Sequence, residues 1–489
     1  MSRVVIAIAL ALVACHRRPD PALDRPLVLE VTAQRPGASA AQVARELATP
    51  LERALGKVPD LVRLSSVSVD GRAEITVVIS ADAEVLIGSS DVQEALAKAK
   101  PDLPADLVTQ PWLAKRGELV ARYLVADQAR AEQLVEHLAA TSGVAHVDEC
   151  GARRAQPTID VDPAALAAAG ETVDDVVTAA RSLHAVTPDA LRAAAIGYAN
   201  GAPIRLGDVA RSGELALRDC RALGPAGDAI AIEVYAQPRV PLDELRARLA
   251  RLTPEHPLAA MRELLVEPSD SSDDPERALA ARLQGALGGT GSFVVEDGEH
   301  DVARTRVRVL LAGDDAAVAA ATARLRAVPG VAAAGEPQLA IVLSSPDRAE
   351  LVRATAALRA RLGDSVVAVR GVADRLIAEV TLDRARAGEL GASREAVTAA
   401  AGARTGLHVA SAGGDVVVRV DAPPDRIYVH GASGLVPLAA VAAVTTRREP
   451  LEILHRGEFP AALVYLRGDR AAAQRALDGL GVHATVEAP

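Results

Sequence analysis

The chain has 489 residues, half of them hydrophobic but only 2 % aromatic, so it can fill roughly three or four domain cores, built from Ala, Val and Leu. The formal net charge of −10 argues against a nucleic-acid partner, which would need a basic face. Spread over this length, it otherwise describes a soluble surface.

The first 15 residues read as a processing signal. Arg3 precedes an apolar run, 4–13, that is too short to cross a bilayer, which needs about 20 residues. The run ends Leu12-Val13-Ala14-Cys15, which resembles a bacterial lipobox. That resemblance implies cleavage before Cys15 and diacylglycerol on its sulfur; an ordinary secretory signal with a chance cysteine is the alternative. His16 follows where an inner-membrane retention signal would carry Asp, so the outer membrane is the expected destination. Residues 16–26 read as a polar tether.

Residues 27–33 alternate as a half-buried strand. Pro36-Gly37 ends it. Ser39 and Gln42 suit a capping box, and Val43, Leu47, Leu51 and Leu55 lay an apolar stripe along one helix face. Thr49-Pro50-Leu51-Glu52 reads as a second cap, a first-position proline and a capping-box acid, so a kinked helix should restart there. Strands over 62–68 and 73–80 turn at Asp70-Gly71, and a helix is expected over 90–100. The connector 102–113 holds the lone tryptophan, Trp112, expected to anchor one subdomain to the next.

Pro36-Gly37-Ala38-Ser39, Val43, Thr49-Pro50-Leu51-Glu52, Val58-Pro59-Asp60-Leu61, Ser66-Val67-Ser68 and Gly71 resemble, in order and spacing, the first periplasmic porter subdomain of RND (resistance-nodulation-division) efflux permeases of the AcrB/CusA kind. The bottom-up reading, a β-α-β-β unit, stands beside that resemblance.

The following stretch repeats the plan. A strand is expected over 119–125, a helix over 128–141 and a strand over 145–150. Thr158 to Pro163, with Asp162, resembles the passage into an RND docking subdomain. Thr172 should cap the next helix, with Asp175 at its third position. Residues 201–210, with Leu206 and Asp208, resemble the Leu-x-Asp-Val-Ala signature that closes that subdomain. Residues 181–200 are shorter than in the family and leave no room for the arm that reaches a neighbouring subunit. Where the family has membrane helices, only 253–260 intervene, and the longest later apolar run, 435–444, is about half the needed length. The second half echoes the first, with Asp383 matching Asp162, residues 387–397 with Gly391 resembling the family's helix entry and residues 435–442 with Pro437 paralleling the closing signature.

The expected architecture is α+β, a two-fold repeat of ferredoxin-like β-α-β sandwiches. Its porter subdomains are 27–113, 118–168 with 226–255, 261–335, and 337–388 with 459–486. Docking-like inserts occupy 169–225 and 389–458.

No catalytic motif stands out, and no enzyme activity is expected. Asp160 and Asp162 share a strand face but match a structural signature. His146, Asp148 and Cys150 alternate on one strand; they would make a metal half-site, or else a polar face with a small buried thiol, and we take the second reading. No metal or cofactor is therefore expected. Cys150 and Cys220, left after lipidation, are an even pair that invites a disulfide in an oxidising compartment. Only Phe293 and Phe459 are phenylalanines, and beyond Met1 only Met261 is a methionine. Neither the aromatic drug pocket nor the methionine metal path of RND pumps transfers, which leaves room for an aliphatic cleft between the first and third porter units.

The resemblance implies a lipid-anchored, periplasm-facing component that binds substrate or docks in an efflux assembly and does not itself pump. Its partners would be an RND pump, an adaptor or an outer-membrane channel, and a monomer or weak oligomer is expected. The other function class is a structural or adaptor lipoprotein that keeps the porter scaffold without binding an exported substrate.

Overall fold

The computed structural model describes residues 25–488 apart from residues 36, 105–106, 108–109, 116, 218–219, 253–257, 259–260, 270–274, 299–306, 405 and 413. Pro36, Cys15 with the signal, and nearly all of the tether lie outside the described residues.

In chain order the first strands are β1 (Leu27–Gln34), β2 (Leu61–Val69), β3 (Arg72–Ile79) and β4 (Trp112–Lys115). Then come β5 (Leu119–Val125), β6 (Val144–Cys150), β7 (Arg154–Val161), β8 (Ala195–Ala199), β9 (Ala202–Arg205), β10 (Ala210–Leu217), β11 (Cys220–Gly224) and β12 (Gly227–Ala236). The second half opens with β13 (Met261–Pro268), β14 (Phe293–Gly298), β15 (Val307–Ala312) and β16 (Val331–Gly335). It continues with β17 (Leu339–Ser344), β18 (Val366–Arg370), β19 (Asp374–Leu382), β20 (Leu407–Ser411), β21 (Gly414–Arg419), β22 (Tyr428–Gly431) and β23 (Gly434–Pro437). It closes with β24 (Ala442–Pro450), β25 (Ile453–Arg456), β26 (Phe459–Leu466) and β27 (His483–Glu487).

Two compact units result. One gathers Met1–Ala152, Asp219–Ala373 and Pro450–Pro489; the other gathers Arg153–Arg218 and Asp374–Glu449. The first unit holds two large sheets. A 9-stranded sheet runs β27-β17-β26-β25-β2-β3-β1-β4, with β18 also on β26. An 8-stranded sheet runs β16-β13-β15-β14-β11-β12-β5, with β6 also on β12. The two orders superpose: β17, β26, β18, β25, β2, β3, β1 and β4 take the places of β5, β12, β6, β11, β14, β15, β13 and β16. The internal repeat is therefore present as topology. Each sheet is built across the repeat, since the first quarter shares a sheet with the last through β2 on β25, and the second with the third through β14 on β11.

Helices cover one face of each sheet. Leu27, Leu29, Val31 and Ala33 of β1 point inward, against a stripe of Val43, Leu47, Leu51 and Leu55. The same stripe recurs as Leu279, Leu283 and Leu287, on and just past the helix Pro275–Ala286. Each such leucine contributes about 1.5–3 kcal/mol on burial.

Pro50 does not restart the first helix. Ala40–Val43, a π-turn over Ala44–Ala48 and Thr49–Leu55 follow one another with helical dihedrals throughout, Thr49 itself lying at φ −59°, ψ −46°. A proline ring clashes with the carbonyl four residues back, and the wider turn absorbs that clash. Thr49 does not cap; its hydroxyl donates to the Ala44 carbonyl at 2.9 Å. Glu52 is no capping acid either. It is 2 % exposed, accepts from the Ser66 hydroxyl, and lies 2.8 and 3.0 Å from Nδ1 of His455. Ser66 and His455 face each other across β2 and β25.

Gln284, the counterpart of Glu52 on its helix, crosses the other joint and donates to the Gly224 carbonyl of β11 at 2.7 Å. A chain of ion pairs backs that joint. Arg122 donates to Glu233 at 2.6 Å, and Arg308 donates to Glu296 at 2.6 Å and to Glu233 at 3.2 Å. Burial alone would push the Arg308 guanidinium down, but Glu296, Glu233 and Glu263 together carry it above its ordinary range.

Two further expectations are corrected. The helix expected from residue 90 begins at Val85, with Gly88 and Ser89 packed inside it. A Cβ at Gly88 would press on Ile79 and Leu27 at 3.1 Å. Trp112 is not a buried anchor; it lies on edge strand β4, 42 % exposed.

In the second unit β10-β7-β21-β20 form one sheet, with smaller pairings of β19 with β24, β22 with β23 and β8 with β9. The helices Val173–Arg181 and Arg394–Ala403, one from each repeat, bury Val176, Val177, Ala180, Val397, Ala400 and Ala403 in a common core. The insert boundaries differ from those expected at 169–225 and 389–458. The flanking strands β7 and β19 extend the second unit, whereas β11 and β25 return to the large sheets. The signature residues have local roles. Asp162 caps Pro163–Ala169, accepting from Ala164 and Ala165, and Asp383 caps Arg384–Leu390. Asp208 accepts the Arg205 backbone N–H at 3.0 Å. Leu206 is buried, Pro437 ends β23 and precedes the Leu438–Val441 turn, and Gly391 adopts φ +70° after its helix. Gly37 at φ +82° and Gly71 at φ +72° shape adjoining turns, and Ser39 with Gln42 forms the expected capping box.

Replacing His455 by Ala should destabilise the first unit by about 3 kcal/mol, because it leaves Glu52 buried without its partner. Ser66→Ala should cost about 1 kcal/mol. Denaturant unfolding of the purified variants checks both, and an H455A midpoint equal to wild type would refute the role given to this pair.

Candidate functional site

The 9-stranded sheet leaves a groove on the face away from its helices. Ile341 and Leu343 of β17, and Ala462, Val464 and Leu466 of β26, turn to the helix side. Alternation therefore turns Val342 and Ser344 the other way, with Thr485 and His483 of β27 directly opposite them. These residues, with Ser345, Pro346, Glu350, Arg456, Phe459, Gly481, Val482 and Glu487, line a cavity of about 560 Å³. That volume lies in the small-molecule range.

The walls are mixed. Pro346, Val482 and Phe459 offer apolar surface, and Phe459 is 53 % exposed. Between the two strands the Ser344 hydroxyl sits 3.4 Å from Nδ1 of His483. Arg456 is paired with Glu487, and the Ser345 hydroxyl donates to Glu350 at 2.7 Å. Among the described residues no carboxylate bonds the imidazole's second nitrogen. The arrangement suits binding of an apolar body with a hydrogen-bonding group. It lies in the fourth quarter, not between the first and third porter units where a cleft was expected.

A second cavity, about 310 Å³, is lined partly by Arg326 and Arg359. Its guanidinium groups are already engaged, Arg359 with Glu267 and Arg326 with the Ala334 carbonyl at 2.8 Å.

The residues singled out from the sequence fall elsewhere. Cys150 of β6 and Cys220 of β11 are joined in a disulfide with their Cα atoms 5.0 Å apart. That bond removes Cys150 as a metal ligand. His146 stacks on Tyr235 with ring centroids 4.5 Å apart, and its Nε2 lies 3.5 Å from Asp148. Sequence reasoning missed the groove because Ser344 and His483 are far apart in the chain and carry no motif. Phe459 was noted only for rarity, and its exposure on a strand was the usable signal.

Residues 17–186 match the AcrB/AcrD/AcrF family. The chain is similar to RND efflux permeases. Multidrug resistance protein MdtC of Klebsiella pneumoniae is 29 % identical over 281 residues, covering 49 % of this chain and 27 % of that protein. Multidrug resistance protein MdtC of Escherichia coli O1:K1 is 28 % identical over a stretch of the same extent. The chain thus spans about a quarter of the length of these RND relatives, 27 %. Among its described residues no helix is long and apolar enough to cross a membrane.

Two outcomes follow from the geometry. Replacing Phe459 by Ser should weaken binding of a hydrophobic fluorescent dye about tenfold, measured by fluorescence titration, whereas the same change at buried Phe293 should unfold the protein. Replacing both Cys150 and Cys220 by Ser should lower stability by about 2–4 kcal/mol, since the bond closes a loop with a sequence separation of 70. Denaturation with and without reductant checks this, and reductant should leave the double variant unchanged.

Proposed function

We propose that this RND-like chain is a binding or docking component of an efflux assembly and is not itself the proton-driven pump. The observation that carries the reading is the pair of superposable porter-like sheets, on a chain similar to RND permeases over residues 17–186 and with no membrane-crossing helix among those described. Proton-coupled export needs ionisable groups within membrane-spanning segments, and such segments would be a partner's. The groove at β17 and β27 supports substrate contact, and the relatives' printed name, multidrug resistance protein, supports an apolar small molecule as that substrate. In this reading the chain carries out no catalysis.

The reading extends to placement. Cys15 would carry lipid and hold the chain on the periplasmic side of a membrane, the outer membrane in preference to the inner. The partners would be an RND pump, an adaptor or an outer-membrane channel, met by a monomeric or weakly associating chain.

Affinity capture of the full chain from native membranes tests this. Pump, adaptor or channel subunits should be enriched, and cells lacking the protein should retain more dye. Capture without any efflux component, together with unchanged dye retention, would overturn the reading. Cys15→Ala should release the protein from the membrane fraction or leave its precursor uncleaved. Normal processing and membrane retention of that variant would refute the lipid anchor.

A further inference from the structure

Asp175 lies in the first turn of the helix Val173–Arg181, where its Oδ2 accepts the backbone N–H and the hydroxyl of Thr172, each at 2.7 Å. β22, from the other repeat, brings His430 to the same oxygen, with Nε2 at 2.7 Å. Glu171 completes the group: one donor atom from each of Glu171, Asp175 and His430 lies within 4.8 Å of the others. Glu171 reaches this position only because residue 197 is glycine; a Cβ there would collide with the Glu171 carboxylate. Burial and the neighbouring Asp175 hold the Glu171 carboxyl above its usual range, offset in part by His430. Two carboxylates pressed together in this way are relieved by a cation.

The internal repeat separates scaffold from donor set. Gly170 and Gly391 end matching helices in left-handed turns, so Glu171 and Asp175 correspond to Ala392 and Ala396. Leu206 and Leu438 open matching turns, so His430 corresponds to Tyr198. The counterpart helix Arg394–Ala403 starts on Ser393, whose hydroxyl accepts from Ala396 N–H at 3.0 Å, with no acid at that position. The fold is built twice, and the donors appear once.

We propose that Glu171, Asp175 and His430 form a zinc site in the second unit. Two carboxylate oxygens and one imidazole nitrogen suit this borderline ion, whereas calcium and magnesium take oxygen ligands. Zinc would replace the His430–Asp175 hydrogen bond, taking Nε2 and Oδ2 as ligands at about 2.0–2.2 Å. Thr172 holds Asp175 in place through its backbone N–H and hydroxyl. The His430 side chain is 48 % exposed, which gives an ion access from solvent. Bound zinc would tie together the two chain segments of this unit.

The test uses the full chain stripped of metal and titrated with zinc sulfate against a chromophoric chelator, as wild type and as the near-isosteric variants Glu171→Gln and His430→Gln. Asp175 is left intact because it caps a helix. Wild type should take up one equivalent more tightly, by about tenfold or more, than either variant. Zinc should raise the unfolding temperature of wild type above any rise in the variants. Circular dichroism confirms the fold of each protein, and either folded variant decides the comparison. No zinc uptake by wild type, or equal affinity in the folded variants, would overturn the site.

Discussion

The first unit depends on one buried contact, Glu52 with His455. A carboxylate taken out of water costs several kcal/mol unless it is paired and hydrogen-bonded. Glu52 is satisfied only when β25 lies beside β2, which brings His455 to one side of it and the Ser66 hydroxyl to another. Pairing those strands in another register would strand the charge. The contact thus adds little net stability over an apolar pair, but it penalises wrong pairing of the chain's first and last quarters. Gln284 does the same work with a neutral amide, and the neighbouring Arg308 and Glu296 supply the charge at that joint.

This division explains why a chain so poor in aromatic residues holds its form. Small aliphatic side chains bury little area each, so both large sheets use many of them and continuous Leu stripes to fill their cores. Polar contacts then select which strands meet. The Cys150–Cys220 disulfide ties β6 to β11, the two strands lying on the same side of β12.

The arrangement also bears on function. The groove beside β27 lies on a sheet shared between distant quarters, on the face away from its helices. The proposed zinc site would serve the second unit by fastening two segments that the chain joins only through long detours.

Much was legible in the chain by itself. The strand beginning at Leu27, the Ser39 capping box and the Asp70-Gly71 turn depend on neighbours a few residues away, so spacing alone reveals them. The repeat and the family likeness were legible for the same reason, being made of such local signals in order. Where a local rule met a tertiary demand, the tertiary structure prevailed. Thr49-Pro50-Leu51-Glu52 has the composition of a helix start, but burying the stripe from Val43 to Leu55 favoured an unbroken rod, and a π-turn accommodated the proline. Glu52, Ser344 with His483, and Asp175 with His430 acquire their roles from partners 403, 139 and 255 residues away. No periodicity encodes such distances. Only the closing of the sheets, driven by burial of the aliphatic faces, decided which polar side chains would meet.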